Sequence, residues 1–205
     1  MERNRSDDKS RRIPSGAAVQ RADLTDALTR AFFEEWADRG FAALSLERVA
    51  ARAGAGKAAI YRRYPSRLAF ADAAISTLGL QIAMPDAEHA TLQEDILALL
   101  LRTRVVLRHP LVRRILPDLH AEAARSVEMR AINDRVAQAR RARAETLLDR
   151  WLRQGALPED LDRDFALDLL LAPLYWRMVV RGMTPSTADL ETQSRAIMAG
   201  LTAAR

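Results

Sequence analysis

Cysteine is absent from the 205 residues, which excludes disulfides, thiolate metal sites and cysteine nucleophiles. Aromatics make up 5% of the chain, glycine and proline number 8 each, and β-branched runs bounded by turn residues are few, so nothing suggests a sheet. Histidine occurs only at His89, His109 and His120. The last two, even on one continuous helix, would stand about 16 Å apart at ~1.5 Å per residue, too far to share a metal. No G-x-S-x-G, H-E-x-x-H or dinucleotide fingerprint is present. The acids Glu159, Asp160, Asp162 and Asp164 run beside a proline, as a solvated loop and helix start would. The expectation is a protein that is not an enzyme, with no cofactor and no metal. No apolar run approaches the ~18 residues that span a bilayer, and the opening MERNRSDDKSRR lacks the apolar stretch of a signal peptide. No membrane partner and a cytoplasmic location are expected.

What is abundant is alanine, leucine and arginine, with 49% hydrophobic residues, enough for a real core. An all-α protein is expected. The net charge of +5 is unevenly spread: residues 1–70 hold 14 basic and 9 acidic side chains, residues 71–205 hold 18 of each. Within residues 46–67, Arg48, Arg52, Lys57, Arg62, Arg63 and Arg67 face a single acid, Glu47. On charge alone a solvated face explains this; a helical DNA-binding pattern at the same place would make it the footprint of a phosphate-backbone binder.

The stretch AGAGKAAIYRRYPSR at residues 53–67 supplies that pattern. As a phosphate-cradling loop it fails three times: Ala51 stands where the first glycine should, Ala58 where the hydroxyl should, and the preceding residues do not read as a strand. Instead Leu46, Val49, Ala50 and Ala53 fall at i, i+3, i+4 and i+7, one apolar helix face, with Ser45 placed as N-cap. Gly54 is then the residue of positive φ that ends this helix, and a second begins about two residues later, the layout of a helix-turn-helix.

Around that motif the chain divides into a polar arm over 1–20, a DNA-binding unit over 21–70 and a neutral body over 71–205. The arm, aperiodic and holding Pro14, Ser15 and Gly16, is expected to be disordered, more a solubilising tail than a DNA contact. A first helix is expected from about Leu24 to Arg39, with Leu28, Phe32 and Trp36 as its core stripe, Gly40 as its stop and Phe41 at the corner. Pro65 ends the third helix and Ser66 caps a fourth. MPDAEHA (84–90) reads as a connector, and Thr91 with Glu94 as a capping box for a fifth helix ending at RHP. A helix from Leu111 to about Arg125, bent at Pro117, and a long one from Ser126 to Gln154 follow. DFALDLLLAPLYWRMVVRG is apolar almost all round and must be covered on two faces, one by its own domain and the other by a second copy, the alternative being a monomer large enough to bury the helix centrally. Leu167, Leu170, Leu174 and Met178, with Ile197 and Leu201 of a final helix capped by Thr184 and Pro185, are the expected dimer contacts.

This order of features, with VAARAGAGKAAIYRRYPSRLAF followed by about six more helices, resembles the tetracycline-repressor (TetR) family of one-component bacterial regulators. Ala50, Ala53, Gly54, Ile60, Tyr61, Tyr64, Ser66 and Arg67 match the family pattern over about 50 residues. Gly56 replaces its usual serine, Ala59 its threonine and Arg63 its histidine. The resemblance implies a homodimer on a double-stranded DNA operator. Arg62, Arg63 and Arg67 would grip phosphates, with Tyr61 and Tyr64 bracing them; Lys57 and Ala58 would reach base edges; Ala59 marks a lost phosphate contact, and Ser45 is first a cap and second a phosphate contact. It also implies an unknown small-molecule effector, of hydrophobic character, in the body, for which Arg104, His120 and Trp176 are candidate pocket groups, and repression as the default. The rival readings are a helical protein-interaction module with weak or non-specific nucleic-acid binding, and sequence-indifferent DNA packaging.

Overall fold

The computed structural model describes residues 16–81 and 89–203, and among them every regular element is helical. The elements are α1 (Gly16–Arg39), α2 (Leu46–Arg52), α3 (Lys57–Arg63), α4 (Arg67–Gln81), α5 (Leu92–Arg108), α6 (Pro110–Arg125), α7 (Val127–Arg153), α8 (Arg163–Tyr175) and α9 (Thr187–Ala203). One turn of π-helix, Trp176–Val180, follows α8. Residues 1–15 of the expected arm and 84–88 of the expected connector lie outside the described residues.

The expected punctuation is present at most junctions. Gly40 takes φ +75° and closes α1, and Gly54 takes φ +65° between α2 and α3, a conformation a Cβ would strain. Thr91 and Glu94 form the reciprocal capping box, at 3.2 and 3.0 Å. Ser126 caps α7 through the Met129 amide at 3.1 Å. α6 begins at Pro110, its first-turn Leu111 amide donating to His109 Nδ1 at 3.3 Å, and it runs unbroken through Pro117.

Three boundaries differ from expectation. α1 reaches back to Gly16, into the stretch read as an arm. The helix after Phe165 is not uniform: Pro173 has no amide to donate one turn back, the ladder loosens, and the Arg181 amide bonds to the Trp176 carbonyl five residues earlier at 2.9 Å. α9 is capped by Ser186, not by Thr184 and Pro185. The Ser186 hydroxyl accepts from the Asp189 amide at 3.1 Å while the Asp189 carboxylate takes the Ser186 amide at 2.8 Å. Ser186 has an acid three residues on, whereas Thr184 has Thr187, which cannot reciprocate.

Two hydrophobic cores organise the packing. The first gathers Leu28, Phe32 and Trp36 of α1, Val49 of α2, Ile60 of α3 and Phe70 of α4, and extends to Leu119 of α6 and Met129 of α7. The second joins Ile96 and Leu100 of α5, Leu148 and Trp151 of α7, Leu170 and Leu174 of α8, and Leu190, Ile197 and Leu201 of α9. The expected boundary at 70/71 therefore falls inside α4, whose Phe70, Ala71, Ala74 and Ile75 all join the first core. Asp118 of α6 ties the head to the body, accepting from Trp36 Nε1 at 2.7 Å and the Phe41 amide at 2.8 Å. Within the body, buried Asp95 of α5 accepts from Trp151 Nε1 at 2.8 Å and pairs with Arg150.

Candidate nucleic-acid interface and effector body

α2 is anchored on three sides. Leu46, Val49 and Ala50 enter the core, and the Ser45 hydroxyl accepts from the Arg48 amide at 3.4 Å. Both its arginines turn back to α1. Arg48 meets Glu35 at 2.5 Å; Arg52 reaches Asp38 at 3.0 Å, Glu35 at 3.4 Å and Glu34 at 3.6 Å. Asp38 also receives Arg114 of α6 at 3.3 Å. The basic surplus counted along residues 46–67 is thus partly cancelled by acids of another helix. Glu35, only 2% exposed, went unnoticed in the sequence; its signal is the acidic trio Glu34, Glu35 and Asp38 on a helix that must pack against α2.

α3 is held differently. Ile60 is its one buried residue, Gly56 in extended geometry offers no side-chain cap, and Tyr64 ends it before Pro65. The Tyr64 ring stacks on Phe70 at 3.7 Å, and Phe70 on Phe32 at 4.3 Å, so Tyr64 closes the core with its ring, and burial pushes its phenol pKa up. Arg67 is likewise committed to structure. Its guanidinium lies 5.2 Å from the centre of the Phe41 ring and donates to the carbonyls of Phe41, at 3.2 Å, and Ala42. Arg63, half-buried, donates to the Ala59 carbonyl at 3.3 Å. Arg62 is exposed and has no partner among the described residues. Lys57, Ala58 and Tyr61 are exposed, and Ala59 is half-buried.

The structure brings Ser45, Lys57 and Tyr61 together, and the group that joins them is Glu47, absent from the expected site. Lys57 Nζ stands 2.9 Å from Glu47 Oε1, the Tyr61 hydroxyl donates to the same oxygen at 2.8 Å, and the Ser45 hydroxyl donates to Oε2 at 3.0 Å. These bonds, Lys57 first, lower the Glu47 pKa to about 2, and the carboxylate in turn raises those of Lys57 and Tyr61.

In the body, the candidate pocket groups separate. Arg104 clasps the start of α9, donating to the Pro185 carbonyl at 3.1 Å and Thr187 Oγ1 at 3.3 Å. Trp176 is 58% exposed on the outer surface. His120 of α6 meets Tyr175 of α8 edge to face, ring centres 5.9 Å apart. Protein around it lowers the His120 pKa, with Arg140 of α7 adding to the effect, and burial lowers that of Arg140 too, although both side chains remain open to solvent.

The expected dimer contacts also fall elsewhere. Leu167, Leu170, Leu174, Met178, Ile197 and Leu201 are all buried in the second core of their own chain. The side of the same helix that faces out carries Phe165, Ala172, Trp176 and Val180. An all-round apolar helix hides which side turns inward until the neighbouring helices are placed.

The family model for bacterial regulatory proteins of the tetR family matches residues 28–74, and that for the tetracyclin repressor-like C-terminal domain matches residues 85–201. The chain belongs to the TetR family. Membership makes it a DNA-binding transcription regulator of the helix-turn-helix type, and the N-terminal match spans α1 through much of α4. The HTH-type transcriptional regulator YdeS of Bacillus subtilis (strain 168), itself uncharacterized, is 28% identical over 165 residues, 76% of this chain and 78% of YdeS. Salmonella enterica GusR superposes with a TM-score of 0.69 at 19% identity, covering 88% of this chain and 94% of GusR. A TetR-family regulator from Rhodococcus sp. gives 0.70 at 18%, covering 88% and 99%. The likeness to those two structures establishes the shared fold. No helix among the described residues is long and apolar enough to cross a membrane.

Proposed function

We propose that this TetR-family regulator is a repressor that grips a pseudo-palindromic operator as a homodimer and lets go when a small molecule enters its body. The observation that carries the DNA half is the exposed side of α3. Arg62 projects without a counter-charge among the described residues, Arg63 stands beside it, and Lys57 and Ala58 lie on the first turn, where a recognition helix meets base edges. Arg62 and Arg63 are the phosphate grips; Arg67 and Tyr64 act one step back, fixing the corner from which α3 projects.

The dimer face is the outer stripe of α8 and the π turn. Phe165, Trp176 and Val180 are 54%, 58% and 53% exposed, a concentration of large apolar side chains that solvent alone does not favour. Two copies joined there would hold their α3 helices at a fixed spacing. For the effector, His120, Tyr175 and Arg140 suit an amphipathic ligand with an acidic end. They come from three helices, with the His120 and Tyr175 rings edge to face and the Arg140 charge acting on both. Release then requires that the ligand prefer a head spacing unlike that of the operator.

DNase footprinting on the DNA upstream of the protein's own coding sequence tests the reading. Two symmetric half-sites about one helical turn apart support it; protection without symmetry, or none, overturns it. Trp176→Glu should convert the dimer to monomer in sedimentation and abolish the symmetric footprint. Organic acids that dissociate the wild-type complex should lose that effect on Arg140→Met.

A further inference from the structure

Ser45 caps one helix, Lys57 opens the next, and Tyr61 sits one turn further along it, yet all three direct a donor at Glu47. An ammonium and two hydroxyls converging on one anion make a donor set that a backbone phosphate would also satisfy. The Ser45 hydroxyl has its single proton committed to Glu47 while its oxygen accepts from the Arg48 amide. Lys57 is 68% exposed, so solvent and DNA can both reach it, and its ammonium lies 5.7 Å from the centre of the Tyr61 ring. Glu47 carries the only acid on the two helices of the motif. Its position works against DNA twice: it occupies the donors, and it places a negative charge where the duplex must come.

We propose that Glu47 is a built-in competitor for DNA, holding the donor set of Ser45, Lys57 and Tyr61 until a backbone phosphate displaces its carboxylate. This rests on the DNA-binding reading of α3 and adds to it a residue whose removal strengthens binding. On this proposal Lys57 serves a phosphate in place of the base edge assigned to it above; displacement is then required of matched and random duplexes alike, so Glu47 sets the overall electrostatic affinity and leaves base preference to Ala58. A regulator free to leave random DNA gains from such a restraint, because competing non-specific sites are very numerous. Exchange by titration is ruled out at ordinary pH, since the carboxyl stays ionised down to about 2.

The test is Glu47→Gln in the full-length protein, which keeps the shape and an oxygen able to accept from Tyr61. Fluorescence anisotropy would follow a random duplex of about 30 base pairs and a duplex selected by the wild-type protein from a random pool. The expected result is about three- to tenfold tighter binding to both, with a log–log salt slope steeper by about one. In a Lys57→Gln, Tyr61→Phe background the same substitution should gain less than about twofold. Unchanged or weaker binding by Glu47→Gln overturns the proposal, since Glu47 would then position the donors for DNA. A gain that persists in the double background overturns it too, leaving only general charge repulsion. Phenol titration of Tyr61 checks the clamp without DNA: its pKa should fall towards the ordinary tyrosine value in Glu47→Gln, and no change overturns the contact in solution. Wild-type protein that binds neither duplex removes the DNA-binding reading itself, an outcome distinct from a failed clamp.

Discussion

α2 and α3 are each seven residues long, lie side by side and are both basic, yet the fold treats them in opposite ways. α2 sinks three residues into the core, carries a hydroxyl cap and surrenders both arginines to the acids of α1. α3 hangs on Ile60, has glycine for a cap and, among the described residues, keeps Arg62 and Arg63 clear of carboxylates. The same type of side chain is mortar on one helix and a free cation on the other. Charge availability, more than charge count, separates a supporting helix from a reading helix, because a guanidinium already paired has little left to offer a phosphate.

The sharpest way to break the contrast is Ile60→Ala. It removes the buried anchor of α3 and should cost about 3 kcal/mol, lowering the melting temperature by roughly 10 °C and abolishing DNA binding as the head loosens. Next comes Arg48→Met on the supporting helix. It leaves Glu35 buried with only Arg52 nearby and should cost about 1–2 kcal/mol in a denaturant melt, while binding to duplex at low temperature falls by no more than a few-fold. Arg62→Ala should show the reverse pattern: stability unchanged to within ~0.5 kcal/mol, affinity for every duplex down by roughly tenfold, and a salt slope shallower by about 0.9. A large stability loss there would mean that Arg62 is mortar too. Gly56→Ser should narrow the contrast by restoring the missing cap; the backbone is already extended and open space surrounds the site, so a gain of a few tenths of a kcal/mol is expected in the same melt.

The pH response should divide along the same line. The three histidines all lie beyond α4, and the Glu47 carboxyl titrates near 2, so the head should be steady from pH 8 to pH 5. His120 has a lowered folded-state pKa, so the unfolded chain binds its proton first. Stability is therefore present above the ordinary histidine pKa, about 6.5, and declines as pH falls through it, levelling off below the folded value. Melts at pH 7.5 and 5.5 should differ less in His120→Gln than in the wild type.

The local grammar of the chain determined much of this protein on its own. Ser45, Gly54 and Pro65 delimit the motif helices, Leu28, Phe32 and Trp36 mark the first core, and Thr91 with Glu94 starts α5, because caps, positive φ and helical periodicity act within a few residues. Tertiary structure decided which of those elements' side chains are free. Arg48 finds Glu35 13 residues away, Arg67 finds the Phe41 carbonyl 26 away and Trp36 finds Asp118 82 away. An apolar-all-round segment such as Phe165–Val180 leaves its inward side open until α5 and α9 are packed on it. Pairing and burial depend on what the folded chain brings near, and sequence spacing carries that information only within a helix or a turn.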